Sequence, residues 1–308
     1  MPAAKSRSEK TILVVVDPVT EDEQPVLHHA AWLAEKTGAA LELFACDYDA
    51  DIDSGRITSV WIPEPGAREQ VLLRHRRRLE TFASALRGRG LEVTVDVAWD
   101  YPLDEAIVKH VVARQPWLVA KDTHHHTLIR RTVLSNTDWN LIRDCPAPLW
   151  LVKQREIAAA PTVLAAVDPV HEHDKPARLD DAIYEFGVDL CAKTGGTLHL
   201  VHAVEMPLGV QLPPNVHALI AGEHREALQS FLMDHPVPGQ NVHVLEGIAH
   251  QCLQRAAELQ KADILVMGAV VRRGIKRVLI GSTAARVLDR VPCDLVIIKP
   301  ATFIVPGR

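Results

Sequence analysis

The feature that most limits how this chain can fold is an internal repeat. The segment ILVVVDPV at residues 12–19 returns as VLAAVDPV at residues 163–170, an offset of 151. The segment AEKTGAALELFA at residues 34–45 aligns in the same way with CAKTGGTLHLVH at residues 191–202, an offset of 157. Repetition of this kind indicates one structural unit built twice. The additional residues of the second copy fall between a strand and a helix, where a loop absorbs insertions.

The ends of the two copies match as well. CPAPLWLVK at residues 145–153 aligns with VPCDLVIIK at residues 291–299, an offset of 146. Between the copies, a polar and then Ala-rich stretch ends at Pro161, and such stretches are typical of domain boundaries. We therefore predict a first domain at residues 1–153 and a second domain at residues 161–308.

Hydrophobic patterning within each copy predicts the fold class. Runs such as ILVVV and LVIIK are apolar without alternation, which is typical of strands covered on both faces. Helical segments lie between these runs, and the first of them closes at Gly38, where a left-handed cap is often needed. Alternating strands and helices imply right-handed crossovers and a parallel sheet. The prediction is an α/β chain with two doubly wound, Rossmann-like parallel sheets of five strands each.

Composition excludes several classes of protein. The chain is 47% hydrophobic and 24% charged, which are values of a globular protein. Its longest apolar runs have four or five residues, whereas a helix that crosses a bilayer needs ~20. The basic segment at residues 1–10 continues directly into a strand, so we expect no export and a cytoplasmic location. A net charge of −5 disfavours sequence-independent binding to a phosphate backbone.

Residue types that often carry catalysis give little sign of it here. The five cysteines are odd in number and widely spaced, without a CxxC pair, so we predict reduced, buried thiols. A nucleophile with an adjacent base, paired carboxylates, a GxSxG elbow and a P-loop lysine motif are not recognisable in the sequence. We therefore predict a binding protein without a catalytic residue set.

The first strand of each copy ends in an aspartate followed by proline. These residues are Asp17 and Asp168. In a doubly wound sheet, ligands bind beyond the carboxyl ends of the strands. A carboxylate at this edge can accept hydrogen bonds from a ribose hydroxyl or an adenine amine, but it can equally organise the turn. The residues alone leave both roles open.

A second candidate site lies near the end of the second copy. Gly281, Ser282 and Thr283 open a helix after a loop. Main-chain amides at a helix start, with a side-chain-less glycine and two hydroxyls, can hold an anion such as phosphate. The preceding loop carries four basic residues, which either add to the anion site or form a solvated basic surface: Arg272, Arg273, Lys276 and Arg277.

The stretch from Asp263 to Lys299 resembles the signature of the universal stress protein family. There, an MG pair, a spacer, an IKR segment and LIGSTA precede PCDLVIIK. The resemblance extends over nearly the whole chain twice, and together with the VDP strand ends it points to the tandem, E-type members. It implies an adenine nucleotide α-hydrolase-like fold, a pseudo-dimer of the two domains, a role in the stress response and ATP as the bound cofactor. The residues that the resemblance would place on the nucleotide are Asp168, Ala203, Met267, Gly268, Gly281, Ser282 and Thr283.

Both copies depart from the family pattern. The second glycine of the expected G-x-x-G falls at Val271, and valine disfavours the positive φ that such a loop needs, at a cost of about 1–3 kcal/mol. In the first copy the corresponding glycine and serine positions are replaced throughout. Asp122 stands in place of Gly268, and a carboxylate there would repel phosphates. We therefore expect nucleotide binding in the second domain and a degenerate site in the first.

A histidine run follows Asp122 and suggests a possible metal site. Asp122, His124 and His126 alternate and carry atoms that ligate metals. An exposed polar loop is the alternative interpretation. No distant fourth ligand is recognisable in the sequence.

Three functional classes remain open. The first is a regulatory stress protein that acts by binding a nucleotide and signalling to an unidentified protein partner. The second is a slow ATP hydrolase or an adenylyl-transfer enzyme, and the third is a carrier of a nucleotide-sugar or an apolar ligand. The resemblance also implies that the last strands, at residues 149–153 and 295–299, pair with each other, and two-fold symmetry makes a further homodimer plausible.

Overall fold

The protein is built on one mixed sheet with helices on both faces. The structure is a computed structural model and describes residues 10–20, 24–54, 66–123, 135–153, 156–170, 178–206, 213–269, 290–300, 302, 303 and 305. Its strands are β1 Thr11–Val15, β2 Ala40–Asp47, β3 Val93–Trp99, β4 Leu118–Asp122, β5 Leu149–Val152, β6 Thr162–Ala166, β7 Thr197–Val204, β8 Val242–Glu246, β9 Ile264–Gly268 and β10 Asp294–Ile298. Its helices are α1 Pro25–Thr37, α2 Ala50–Ser54, α3 Ala67–Gly88, α4 Leu103–Arg114, α5 Asn136–Asp144, α6 Leu179–Thr194, α7 Pro214–Asp234 and α8 Ala249–Leu259.

The ten strands form a single sheet in the order β3-β2-β1-β4-β5-β10-β9-β6-β7-β8. Strands within each half are parallel, and the first strand of each half lies at its centre. The order reads the same from both edges when β1–β5 are exchanged for β6–β10, so the halves are related by a pseudo-two-fold axis. The predicted α/β class with five parallel strands per domain is therefore confirmed.

Apolar residues fill both sides of this sheet. One buried layer lies under α1, α3, α6 and α7, and includes Ile12 and Val14 of β1. The opposite layer lies under α4, α5 and α8, and includes Leu13 of β1. Because successive strand residues point to opposite faces, an unbroken apolar run such as that of β1 fills both layers.

Local signals in the sequence set the ends of the central helices. α1 begins with Pro25, whose fixed φ suits the first helical position, and ends at Gly38 with φ of 70°. α6 ends in the same way at Gly195, with φ of 73°. The left-handed cap predicted at Gly38 is thus confirmed, and Gly195 repeats it in the second domain.

The two halves join through their last strands. β5 and β10 are antiparallel, with Trp150 opposite Val296 and Leu151 opposite Leu295. This is the pairing that the family resemblance implies. It turns two parallel five-stranded sheets into one, and it removes an exposed edge from each.

Asp294 is the polar centre of this junction. Its side chain is almost completely buried, and it belongs to the second domain. One carboxylate oxygen lies 2.9 Å from both the indole nitrogen of Trp150 and Nδ1 of His29, and the other accepts the backbone N–H of Lys153 at 2.9 Å. Three groups of the first domain therefore satisfy one carboxylate of the second, as a buried charge requires.

Two lysines reinforce the junction in a pseudo-symmetric manner. The Lys153 ammonium donates to the Val291 carbonyl of the second domain. The Lys299 ammonium donates to the carbonyls of Ile142 and Arg143, in the last turn of α5 in the first domain. Burial lowers the pKa of Lys299 to about 8. A cation at the carboxyl end of a helix interacts favourably with the helix dipole, which offsets part of that burial.

Two further predictions concern the membrane and the thiols. Within the described residues, every helix is too short or too polar to cross a bilayer. All five cysteines are buried thiols outside any disulfide, as predicted. Burial raises the pKa of Cys145 and Cys191 to about 12, so both thiols are protonated at neutral pH.

Asp294→Asn tests how much the junction depends on one carboxylate. The amide cannot accept from all three donors, so we expect the free energy of unfolding to fall by about 2–4 kcal/mol. The measurement is chemical denaturation of the full chain. Asp189→Asn, which removes a partly exposed carboxylate that pairs with Lys10 and Lys193, should change the same quantity by less than about 1 kcal/mol. Equal effects of the two substitutions would contradict the role assigned to Asp294 in the junction.

Candidate functional site

Four of the residues predicted to contact the nucleotide lie at one edge of the second domain's strands. Asp168 lies two residues beyond the end of β6, Ala203 is next to last in β7, and Met267 and Gly268 end β9. These three strands are neighbours and parallel, with β6 in the middle. The four residues therefore lie at the carboxyl ends of adjacent strands, where such sheets bind ligands. The other predicted nucleotide residues, Val271, Gly281, Ser282 and Thr283, lie outside the described residues, as does the basic loop before them.

Asp168 is held by its backbone, and its side chain is half exposed. Its N–H donates to the carboxylate of Asp180, in the first turn of α6, at 3.1 Å. Its side chain is 48% exposed, and one carboxylate oxygen lies 3.9 Å from Nδ1 of His202. The backbone of Asp168 is thus held at the sheet edge, and about half of its side chain is accessible from solvent.

A buried histidine pair supports this edge, and no sequence pattern points to it. Nδ1 of His202 on β7 lies 3.0 Å from the carbonyl of Val167, and its Nε2 lies 2.8 Å from Nδ1 of His224 on α7. A carbonyl only accepts, so Nδ1 of His202 carries the proton, and in the neutral ring Nε2 accepts from His224. The pair fixes α7 to the strand ends directly beside Asp168. The two residues lie 22 positions apart in elements that sequence patterns do not bring together.

The first domain has a pocket at the equivalent edge. It has a volume of about 350 Å³ and lies at the carboxyl ends of β1, β2 and β4. Apolar residues such as Val16 and Leu103 form part of its wall. The polar and charged residues that line it are Asp17, Thr20, Gln24, Asp47, Lys121, Asp122, Thr123, Ser135 and Thr137.

Asp122 lines this pocket and caps α1. Its carboxylate accepts the N–H of Val26 at 2.8 Å. Burial raises the pKa of Asp122 to about 7, against the lowering effects of that hydrogen bond and of Lys121 and His29. The predicted metal set of Asp122, His124 and His126 stays a prediction, because both histidines lie outside the described residues.

Asp122 at the end of β4 aligns with Gly268 at the end of β9. The helices that lie above these two positions, α1 and α6, begin at different points. Measured from their matching glycine caps, α6 begins three residues earlier than α1. A Cβ at Gly268 would lie 2.7 Å from Leu179 in the first turn of α6. In the first domain the shorter α1 leaves room for the Asp122 carboxylate, which then takes up a main-chain donor at the helix start. The difference in helix length therefore agrees with an aspartate at the end of β4 and a glycine at the end of β9.

The start of α5 is also occupied by a carboxylate of the chain. Ser135 and Asp138 form a capping box, in which Asp138 accepts the N–H of Ser135 at 2.8 Å and Ser135 accepts the N–H of Asp138 at 3.2 Å. Asp138 is fully buried and lies 2.8 Å from the ammonium of Lys121. Ser135 aligns with Gly281, so an acidic side chain fills the place where the family pattern predicts an anion. The spacing of Ser135 and Asp138 is a recognisable cap signal that the sequence analysis missed.

Sequence and structural comparisons decide the family. The profile of the Universal stress protein family matches residues 9–153 and again residues 162–299. The chain belongs to the universal stress protein family. Its tandem arrangement also agrees with relatives of the same length. Universal stress protein E of Escherichia coli strain K12 is 28% identical over 307 residues, covering 96% of each chain. The Universal stress protein E homolog of Haemophilus influenzae is 25% identical over 304 residues, covering 95% of this chain and 98% of the relative.

Solved structures of universal stress proteins share the fold over the full length. A putative universal stress protein from Pseudomonas aeruginosa is 26% identical, with a TM-score of 0.74 over 94% of this chain and 93% of that one. A universal stress protein from Archaeoglobus fulgidus has a TM-score of 0.68 at 17% identity, over 94% of this chain and 98% of that one. The second likeness concerns the fold alone. The tandem universal stress architecture predicted from the repeat and the family resemblance is confirmed.

Asp122→Asn should change how stability depends on pH. Burial raises the pKa of Asp122 in the folded chain to about 7, well above the ordinary value for an aspartate. The native protein therefore loses stability as pH rises from about 4 to about 7. The asparagine variant keeps an acceptor for Val26 without that loss. Its free energy of unfolding, relative to that of the native chain, should therefore rise by about 2 kcal/mol between pH 5 and pH 8. Denaturation curves across this range measure the effect.

The matched control for this pH profile is Asp51→Asn, which changes an exposed aspartate of α2. It should leave the pH dependence of unfolding as it is in the native chain. A parallel profile for Asp122→Asn and the native chain would contradict the assignment of this proton to Asp122.

Gly268→Ala tests the packing of α6 against the end of β9. The added methyl group would meet Leu179 at 2.7 Å and Ile183 at 3.2 Å, and overpacking of this kind costs about 1–3 kcal/mol. Gly222→Ala in α7 adds a methyl group with nothing within 4 Å, so it should stabilise the protein by up to about 1 kcal/mol. Thermal and chemical denaturation of both variants should give opposite signs. A neutral Gly268→Ala would show that α6 moves aside at this position.

Proposed function

We propose that the protein is a stress-response regulator whose second domain binds ATP or a related adenine nucleotide. The observation that supports this most directly is the convergence of Asp168, Ala203, Met267 and Gly268 at the ends of three adjacent strands. Membership of the universal stress protein family supports the stress-response role. A cytoplasmic location and an unidentified regulatory protein partner are parts of the same proposal.

The chemistry of the second-domain edge suits a nucleoside. The half-exposed carboxylate of Asp168 can accept hydrogen bonds from a ribose hydroxyl or an adenine amine. Asp180 holds the backbone beneath that carboxylate, and the buried pair His202 and His224 holds the neighbouring strand end. Fixing an acceptor before the ligand arrives reduces the ordering entropy that binding costs. In this proposal the phosphates lie on Gly281, Ser282 and Thr283, beside Val271.

The first domain is assigned a different role. Main-chain donors at the starts of α1 and α5 already donate to Asp122 and Asp138. A nucleotide phosphate there would have to displace a carboxylate from each helix start, and it would meet their negative charge. In this proposal one nucleotide binds per chain, in the second domain.

Asp168→Ala and Asp17→Ala form a matched pair for testing the nucleotide site, since the two residues occupy the same place in the repeat. We expect Asp168→Ala to weaken ATP binding about 10- to 100-fold, the loss of one charged hydrogen-bond partner. Asp17→Ala should leave ATP affinity unchanged. Isothermal titration of the full chain with ATP measures both. Equal losses in the two variants, or no binding by the native chain at millimolar ATP, would contradict the proposal.

Two further measurements separate this function from its alternatives. Mass spectrometry of the ligand that copurifies with native protein should detect an adenine nucleotide, whereas a nucleotide-sugar or an apolar molecule would favour a carrier. Phosphate release from ATP should stay near the uncatalysed background. Turnover that is well above background and depends on Asp168 would instead favour the enzyme.

A further inference from the structure

Three side chains of types that ligate metals meet beside the edge strand of the first domain. Glu42 lies on β2, Asp96 on the edge strand β3 and His110 on α4. One ligand atom of each lies within 4.8 Å of the other two, and among the residues that the structure describes no other set of three or more does so. An imidazole with two carboxylates suits a transition-metal ion better than Mg²⁺ or Ca²⁺. We propose that this site binds Zn²⁺.

The sheet register and one stacked ring hold the three ligands in place. Asp96 lies opposite Phe44 where β3 pairs with β2, and Glu42 lies two residues before Phe44 on the same face of β2. The ring of His110 stacks on Phe44, with 4.2 Å between the ring centroids. Its Nε2 lies 3.0 Å from Oε1 of Glu42. Ligands on two strands and a helix are positioned more precisely than ligands on loops.

The spacing of the ligand atoms fits a zinc ion after a small contraction. Zinc lies about 2.0–2.2 Å from nitrogen and oxygen ligands, so two ligand atoms of a tetrahedral site are about 3.4 Å apart. The distance from Nε2 of His110 to Oε1 of Glu42 is 3.0 Å, and every pair in the set lies within 4.8 Å. The side chain of Asp96 is 35% exposed, so a water molecule can complete the coordination from the solvent side.

Coordination needs the lone pair of the imidazole nitrogen that faces Glu42. A carboxylate only accepts, so Nε2 of His110 now carries the proton and donates it to Glu42. Zinc would take the place of that proton, and the neutral ring would carry its one proton on Nδ1 instead. Glu42 would then exchange the N–H donor for the metal ion, and its buried carboxylate would keep a partner.

Arginine side chains now provide positive charge at this site. Nε of Arg114 lies 3.4 Å from Glu42, and its Nη2 lies 3.4 Å from Asp96. Arg76 lies 3.7 Å from Asp96. These distances exceed the ~2.7–2.9 Å of a strong charge-assisted hydrogen bond. Both arginine side chains are about half exposed, and such pairs contribute little to stability. Arg114 can therefore move into solvent when a divalent cation binds the same carboxylates.

The second copy shows that the fold does not require two carboxylates here. The repeat and the strand register place His199 and His243 at the two carboxylate positions. Nδ1 of His199 lies 2.9 Å from Nε2 of His243, so one ring donates to the other. The position of His110 is taken by Ala256, at the offset of 146 that aligns the ends of the two copies. The set of three ligands is therefore a property of the first copy.

The test is a titration of the metal-free full chain with Zn²⁺, without ATP, in competition with a chromophoric chelator. We expect a site that Asp96→Asn weakens at least tenfold, since one of three ligands is lost. Arg114→Gln should instead strengthen Zn²⁺ binding about threefold to tenfold, because it removes a cation that competes for the same carboxylates. Damage to the fold cannot produce a gain of affinity, so the two variants together separate a metal site from a structural ion pair.

Glu35 and Arg89 provide a matched control pair. They form an exposed ion pair of the same domain, 2.8 Å apart. Glu35→Gln and Arg89→Gln therefore make the same changes of charge away from the site, and both should leave Zn²⁺ affinity unchanged. Co²⁺ in place of Zn²⁺ should give visible absorption bands that disappear in His110→Gln, because those bands report the ligands of the ion.

Several results would overturn the inference. Equal weakening by Asp96→Asn and Glu35→Gln would indicate diffuse attraction to a net negative protein. Unchanged or weaker binding in Arg114→Gln would show that the arginine and the metal do not share these carboxylates. Loss of all Zn²⁺ binding on replacement of His124 and His126 by glutamine would assign the metal to the histidine run instead. Binding of Mg²⁺ as tight as that of Zn²⁺ would exclude an imidazole ligand.

Discussion

The pairing of β5 with β10 places Asp294 where both halves of the chain meet. Its buried carboxylate is stable there because the first domain supplies its hydrogen-bond donors. His29, Trp150 and the backbone of Lys153 all come from the other copy. A buried charge without such partners would cost several kcal/mol. Separation of the two domains would therefore expose an apolar strand edge and leave the Asp294 carboxylate without its donors. This dependence makes the ten-stranded sheet, rather than either half, the stable unit.

The pseudo-two-fold axis relates two copies of the same scaffold. The residue types at the carboxyl ends of the strands nevertheless differ between the two domains. In the first domain, Asp122 and Asp138 occupy the donors at the helix starts. In the second, α6 extends further and packs on Gly268, which leaves no room for a side chain. The two copies thus differ by about one helical turn at this edge, with a carboxylate at the end of β4 and a glycine at the end of β9. One scaffold can therefore carry two different edges, because the fold fixes where a site lies and the side chains fix what it can hold.

Much of the architecture could be predicted from the repeat and the hydrophobic pattern. Apolar runs without alternation predicted parallel strands covered on both faces, and Gly38 marked a helix end, because these features depend on local geometry and burial alone. The placement of Asp168 at a sheet edge followed from the topology of doubly wound sheets. The buried pair of His202 and His224 could not be predicted, since the two residues meet only when α7 packs on β7.

By itself, the sequence determined that one α/β unit is built twice, that its central strands are unbroken apolar runs, and that the first copy lacks the glycines of an anion loop. Tertiary structure decided what replaces them. Asp122 caps α1 and Asp138 pairs with Lys121 only because strands and helices distant in sequence converge at one edge. The physical reason is that hydrophobic periodicity is a local property of the chain, whereas the partners of a buried charge are set by packing between elements.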